Sequence, residues 1–354
     1  MNAFVETRSN QKGMIAAIAA VALMALFGFG ALAIDVGYMM TTRAELQNAA
    51  DAGALSAAHQ LANTYATLGS IDRKNYVLTS GDKTLILNEA GKFTKQNKAA
   101  GVDILLKTTD LQYGTWSRST GALTYVSTGV DAVRVTTRRD TSANGAVATL
   151  LGGVLGVDTF VASATSAAGL SGISEVPAGA GDFPVGISKH WFQGKDSPCQ
   201  SPTEIQLYPT GSLAGCAGWH TFDSWPANAA KLRKILDDMK YGTFTSPQII
   251  AGTTQFVFIG GTVATDFSNM QALYDKKKDA SGQWLVHIPV YDSEDCSNPN
   301  DRITIVGFAT ARITQVLTAP DKLIKANVEC GIMPMGKGNG TDYGTLAAAP
   351  SIIQ

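Results

Sequence analysis

The chain of 354 residues is long enough for two or three folded domains, and its 45% hydrophobic residues exclude a mainly disordered one. Its 28 Lys and Arg stand against 29 Asp and Glu, so no basic excess exists to neutralise phosphates, and nucleic-acid binding is not expected. With only 16% charged residues and 36 glycines, the composition fits extended β structure outside the cytoplasm better than a charged cytosolic enzyme.

Residues 14–34 carry no charge. At about 1.5 Å per residue they reach across the roughly 30 Å hydrocarbon core of a bilayer, so they read as one transmembrane helix. Arg8 and Lys12 precede the run, with Glu6; Asp35 follows it, and no basic residue returns until Arg43. The positive-inside rule then places residues 1–13 in the cytoplasm and the bulk of the chain outside, in the periplasm or beyond the cell. Two processing events stay open beside a retained inner-membrane anchor. Ala31-Leu32-Ala33 has the small-x-small form cut by signal peptidase, although the apolar run is long for a signal peptide. Cleavage after Gly13, as in prepilins, is the other, but Ile18 stands where pilins carry an acidic residue.

The helical pattern continues beyond the apolar run. Tyr38, Leu46, Ala49, Ala50, Gly53, Ala54, Ala57, Ala58 and Leu61 recur at helical spacing, with Arg43, Glu45, Gln47, Asp51 and His59 between them, so residues 35–66 read as an extracytoplasmic helical stem. Small residues at that density let a second helix approach closely. They make the stem a candidate for packing with a second copy, with a neighbour or with the chain's own domain; alanine as a plain helix former is the competing reading.

The stretch Ala31-Leu32-Ala33-Ile34-Asp35-Val36-Gly37-Tyr38, followed by Arg43-Ala44-Glu45-Leu46-Gln47-Asn48-Ala49-Ala50-Asp51-Ala52-Gly53-Ala54-Leu55, resembles the N-terminal signature of TadE/TadG-like Flp pilus-assembly proteins of the tight-adherence (Tad) secretion system. The residues that carry the signature are Asp35, Gly37, Leu46, Gln47, Ala50, Asp51 and Ala54. Leu111-Gln112-Tyr113-Gly114-Thr115-Trp116, Asp131 to Arg139, Leu150 to Gly156 and Val161-Ala162-Ser163-Ala164 are similar to the region that follows in that family. The resemblance implies a membrane-anchored, non-enzymatic part in pilus assembly or cell adhesion, as a scaffold or a minor pilin-like subunit, with the inner membrane and pilus subunits or other pilus-assembly proteins as partners.

Residues 67–170 read as an α+β domain, similar in outline to pilin-like proteins, with strands at 102–106, 111–117, 123–127, 132–137 and 159–168 and a short helix at 144–155. The aperiodic Gly, Pro and Ala stretch 171–184 reads as a linker. A β-rich domain at 185–335 follows, with strands at 185–188, 204–208, 255–259, 285–291, 303–314 and 323–329. Pro226 is expected to open one helix running to about Lys240, and Asp266 to cap another running to about Lys277. The glycine-rich tail 336–354 is expected to be mobile. The expected fold class is therefore α+β, a transmembrane helix and stem followed by two β-rich extracytoplasmic domains.

All four cysteines, Cys199, Cys216, Cys296 and Cys330, fall in the second of these domains. An oxidising compartment predicts two disulfides, with Cys199–Cys216 and Cys296–Cys330 as the local pairing, although three connectivities satisfy the sequence. No catalytic or cofactor-binding residue is assigned. Asp140-Thr141-Ser142-Ala143-Asn144 lacks the last serine of the Asp-x-Ser-x-Ser metal site that relatives with a von Willebrand factor A domain carry. Turn or cap chemistry is the expectation there. The acidic loop 292–301 has oxygen ligands without the spacing of an EF-hand. His59, His190, His220 and His287 are too scattered for a zinc site. Cleavage after Ala33 would make the chain a secreted or surface-exposed binding module, with that loop as its calcium candidate.

Overall fold

A computed structural model describes residues 10–68, 73–118, 120–193, 203–208, 215–260, 263 and 267–353. The chain is α+β: a long N-terminal helix followed by a β-rich region. Two units divide it, unit 1 being Met1–Gly53, Ala90–Asp110 and Val135–Ser166, and unit 2 being Ala54–Glu89, Leu111–Arg134 and Ala167–Gln354.

Helix α1 (Asn10–Thr67) runs without a break through the apolar segment and the stem. Its first part, through Gly53, belongs to unit 1. There it joins the hairpin of β1 (Lys98–Ala99) and β2 (Val102–Asp103) and the antiparallel pair β6 (Val147–Ala148) and β7 (Thr159–Phe160). Leu46, Ala49, Ala99, Ile104, Val147, Phe160 and Ala162 form the core of this unit. The expected helix at 144–155 is corrected. Asn144 and Gly145 both have positive φ, 61° and 73°, which breaks any helix at its start, and β6 follows. Only Gly152–Leu155 turns, as a 3-10 helix closed by Gly156 at φ 82°. Asp140 starts a turn instead: its Oδ1 accepts from the Ser142 and Ala143 amides and from the Ser142 hydroxyl.

Helix α2 (Ser80–Lys95) was not expected, yet its start is written in the chain. The Thr79 amide and hydroxyl donate to Asp82 Oδ2, and the Asp82 amide donates back to Thr79 Oγ1, a reciprocal cap of the first turn.

Unit 2 contributes β3 (Leu111–Ser117), β4 (Ala122–Tyr125) and β20 (Ser351–Ile352) to a five-stranded sheet of order β20-β8-β5-β3-β4. Its other strands are β5 (Ala132–Arg139) and β8 (Ala162–Gly169). The larger sheet has the order β11-β17-β16-β15-β10-β12, with β14 paired to β16. Its strands are β10 (Val185–Ser188), β11 (Thr203–Tyr208), β12 (Ala217–Trp219), β14 (Gln255–Phe258), β15 (Trp284–Tyr291), β16 (Asp301–Leu317) and β17 (Leu323–Glu329). Alternation builds its core: Val286 pairs with Ala311 and Ile288 with Ala309, all buried.

Helix α3 (Ala229–Tyr241) buries Leu232, Ile235, Leu236 and Met239, one face at helical spacing. It begins later than Pro226 because Asn228 is its N-cap, accepting from the Lys231 amide at 3.0 Å. Gly242, at φ 77°, ends it. Helix α4 (Phe267–Lys277) buries Phe267, Met270, Leu273 and Tyr274; Asp266, expected as its cap, lies outside the described residues. The stretch read as a linker packs into the core of unit 2 through Ile173, Val176 and Phe183 and forms β9 (Glu175–Val176). Beside it lie β13 (Ile249–Ile250), β18 (Gly331–Lys337) and β19 (Thr345–Ala349), in the order β13-β9-β18-β19. The tail expected to be mobile is thus strand: β19 runs parallel to β18, and β20 pairs with β8 through Ser351 and Gly169.

The local disulfide pairing is overturned, since Cys216 bonds Cys296 with 4.2 Å between their Cα atoms. The sheet explains why. Strand β10 lies between β15 and β12, and buried Ser188 at its end donates its amide to Cys216 O at 2.7 Å and its hydroxyl to Asp295 O at 2.9 Å. Two segments distant in sequence meet there. Cys330 is also disulfide-bonded; Cys199 lies outside the described residues.

Candidate membrane anchor and signature stem

From Met14 onward, helix α1 is long and apolar enough to cross a membrane, and no part of its most apolar window is buried in the protein. Ile15, Leu23, Phe27 and Leu32 all stand exposed. Gly28 and Gly30 have nothing within 4 Å of where a Cβ would be.

Just past this run the surroundings change. Asp35 Oδ1 accepts the Leu150 amide at 2.7 Å and the Leu151 amide at 3.1 Å, tying the 3-10 turn of unit 1 to the helix. One carboxylate oxygen on a short side chain satisfies two adjacent donors here, as charge-assisted hydrogen bonds. Tyr38 packs edge-on against Phe160 at 6.0 Å. One turn past the buried Thr42, Glu45 Oε2 accepts the Ala100 amide at 2.7 Å, at the hairpin where Ala100 and Gly101 both have positive φ. Thr137 Oγ1 donates to Leu46 O at 2.8 Å, a helix carbonyl already inside the core. Gln47 Nε2 donates to Asp51 Oδ1 at 2.8 Å and to Thr165 O at 3.4 Å.

Small residues on the stem have a physical cause. Leu46, Ala49, Ala50 and Ala54 are fully buried, and Ala57, Ala58 and Leu61 continue the stripe. At Gly53 an added Cβ would lie 2.6 Å from Thr94 Cγ2 and 3.2 Å from Val135 Cγ1, so the absence of a side chain sets how closely the helix meets its own unit. Of the three packing options the sequence leaves open, the chain's own domain takes this face. The face is therefore not available to a second copy in this state.

The seven signature positions thus sort by location. Asp35 holds the 3-10 turn, Leu46, Ala50 and Ala54 are interior, and Gln47 and Asp51 bond each other at the edge of the stem. Gly37 is exposed with open space around it, and nothing in the structure explains it.

Further along α1, in unit 2, the Tyr65 hydroxyl donates to Val130 O at 2.5 Å. The neighbouring Asp131 is a titratable group that sequence reading did not single out. Burial pushes its carboxyl up to about 6, against the opposing pull of the Trp116 amide, which donates to it at 2.8 Å, and of the Arg73 charge. His220 sits among Phe222, Phe256 and Phe258, where burial holds it down to about 3. Its Nδ1 accepts the Phe222 amide, which is the arrangement of a core histidine. In the acidic loop, Lys189 pairs with Asp292 and Glu294 at 2.6 and 2.5 Å, and the Ser297 amide and hydroxyl donate to Asp295. Among the described residues, no three His, Cys, Asp or Glu side chains gather to hold a metal ion.

No curated protein matches the chain, and no solved structure matches it. A family model described as Putative Flp pilus-assembly TadE/G-like matches residues 13–60. That range begins one residue before the apolar run and ends inside the buried stem, so it covers Asp35 and all the other signature positions. Over residues 13–60, the N-terminal helix is similar to the TadE/G-like segment described for Flp pilus-assembly proteins.

Proposed function

We propose that the protein is a non-enzymatic, membrane-anchored component of Flp pilus assembly that acts as a scaffold. One observation carries the reading: the TadE/G-like segment coincides with a helix that is bare over its apolar part and clasped by its own folded unit directly afterwards. Such a helix fixes a folded body at a set distance from the bilayer. Unit 2, with a sheet stapled by Cys216–Cys296, presents the surface that pilus subunits or other assembly proteins meet in the periplasm, with the N-terminus in the cytoplasm.

Deleting the gene in the producing cell tests this. Surface Flp pili, counted by electron microscopy, are expected to be lost, and to return with the full chain but not with one whose residues 14–34 are replaced by a cleavable signal. Undiminished pilus numbers after deletion would contradict the proposal. Rescue by the secreted form would instead favour a released binding module.

A further inference from the structure

The hairpin of residues 149–157, Thr-Leu-Leu-Gly-Gly-Val-Leu-Gly-Val, has no charged residue and exposes Leu150, Leu151, Val154 and Val157. Val154 is 86% exposed, and Leu150, Val157 and Val161 are each more than half exposed. Exposed apolar residues scattered singly need no explanation, but a contiguous group on one turn does. A disordered loop would not hold them together; this one is built. The Thr149 amide donates to Asp158 O and the Val157 amide to Gly152 O, both at 3.0 Å, and the Val154 amide donates to Leu151 O at 3.1 Å. Thr149 Oγ1 donates to Val157 O at 2.6 Å. The Leu150 and Leu151 amides are taken by Asp35. An apolar tip with these backbone amides already bonded leaves water at lower cost than an open loop does.

Position says what it meets. Asp35 is the residue directly after the apolar run, so its hydrogen bonds to Leu150 and Leu151 hold the hairpin at the level where helix α1 leaves the bilayer. We propose that this hairpin is a second membrane contact: its apolar tip rests in the headgroup and upper acyl region of the leaflet through which α1 emerges. The inference rests on the reading of residues 14–34 as a retained membrane anchor. It gives Asp35 a positioning role, holding the dipping turn against the helix, and it would set the tilt of unit 1 through two contact points instead of one.

Full-length protein carrying a single added thiol, labelled with an environment-sensitive fluorophore and reconstituted in phosphatidylethanolamine and phosphatidylglycerol vesicles, provides the test. No described cysteine is free to compete for label. Val154→Cys reports the hairpin, Leu23→Cys the span, and Asp321→Cys an exposed turn. With a tip seated about 5–10 Å into the interface, Val154→Cys is quenched by lipid bearing a shallow nitroxide more than by a deep one, and loses about half or more of the iodide quenching seen at Asp321→Cys. Strong lipid quenching at Leu23→Cys with full iodide access at Val154→Cys overturns the hairpin contact and leaves the anchor standing. Protection of Val154→Cys from iodide without quenching by lipid also overturns it, in favour of contact with a second copy. Absence of lipid quenching at Leu23→Cys removes the anchor reading and this inference with it.

Discussion

Residues 14–34 and 38–61 belong to one helix and draw on the same small and apolar residue types. The first stretch has no buried residue, whereas the second buries Leu46, Ala49, Ala50, Ala54, Ala57, Ala58 and Leu61. The difference lies in the polar residues between the apolar ones. Glu45 and Gln47 reach backbone groups of unit 1, and Gly53 lets Thr94 and Val135 come close. No such side chain interrupts residues 14–34, so nothing in the protein specifies a partner for them, and a solvent without hydrogen-bonding needs suits them best. An apolar helix surface alone does not say whether lipid or protein covers it; the interleaved polar residues do.

The largest effect expected is also the sharpest separation of fold from anchor. Cys216 and Cys296 close a loop of sequence separation 80, so replacing both with Ala is expected to cost about 2–5 kcal/mol in denaturant melts. The variant should stay in the membrane fraction; release from it would mean that the fold of unit 2, and not helix α1, holds the protein there.

Leu23→Arg attacks the other side of the comparison. A charge at mid-span costs about 3 kcal/mol of insertion, so the protein should become extractable by alkaline carbonate while its melting transition stays in place.

Glycine gives a matched pair on the two stretches. Gly53→Leu forces a side chain against Thr94 and Val135 and is expected to cost about 1–3 kcal/mol. Gly30→Leu, with open space around it, should leave the unfolding midpoint unchanged. Equal effects would show that the stem is not packed as described.

A pH dependence tests the helix beyond the stem. Asp131, adjoining the carbonyl that holds Tyr65, has its carboxyl raised to about 6 in the folded chain, against an unfolded value of about 4. The folded state binds the extra proton, so this contribution is complete below about pH 4 and is lost as pH rises through about 6. Asp131→Asn should abolish that loss. The comparison is the difference between variant and parent unfolding energies across pH 4–7. His220, held low by burial, gives the opposite slope in both proteins and cancels. A flat difference would contradict the placement of Asp131.

Asp35→Ala is expected to cost less than Gly53→Leu, about 0.5–1.5 kcal/mol, because the two amides it frees are exposed to water. Hydrogen exchange at Leu150 and Leu151 should rise locally, with other amides unchanged.

Much of this helix was legible in the sequence, because hydrophobic periodicity and a charge-free run are local signals. The partner of the stem was not. Thr94, Val135 and Thr137 come from segments whose approach to Gly53 and Leu46 is settled by tertiary packing. Helix α2 was hidden by its weak amphipathicity, although Thr79-Ser80-Gly81-Asp82 carries the cap that starts it. Residues 144–155 look helical by composition, and the positive φ of Asn144 and Gly145 decides against it. The disulfide followed sheet order and not sequence proximity, since β10 stands between the strands that deliver Cys216 and Cys296.

The most direct test of the central claim, that the TadE/G-like helix is a retained anchor clasped by its own unit, is the mass of the intact N-terminus in separated membrane and soluble fractions of the producing cell. An unprocessed N-terminus in the membrane fraction is the expected result. A start at Met14 would mark a subunit processed like a prepilin, and a start at Ile34 in the soluble fraction would contradict the anchor.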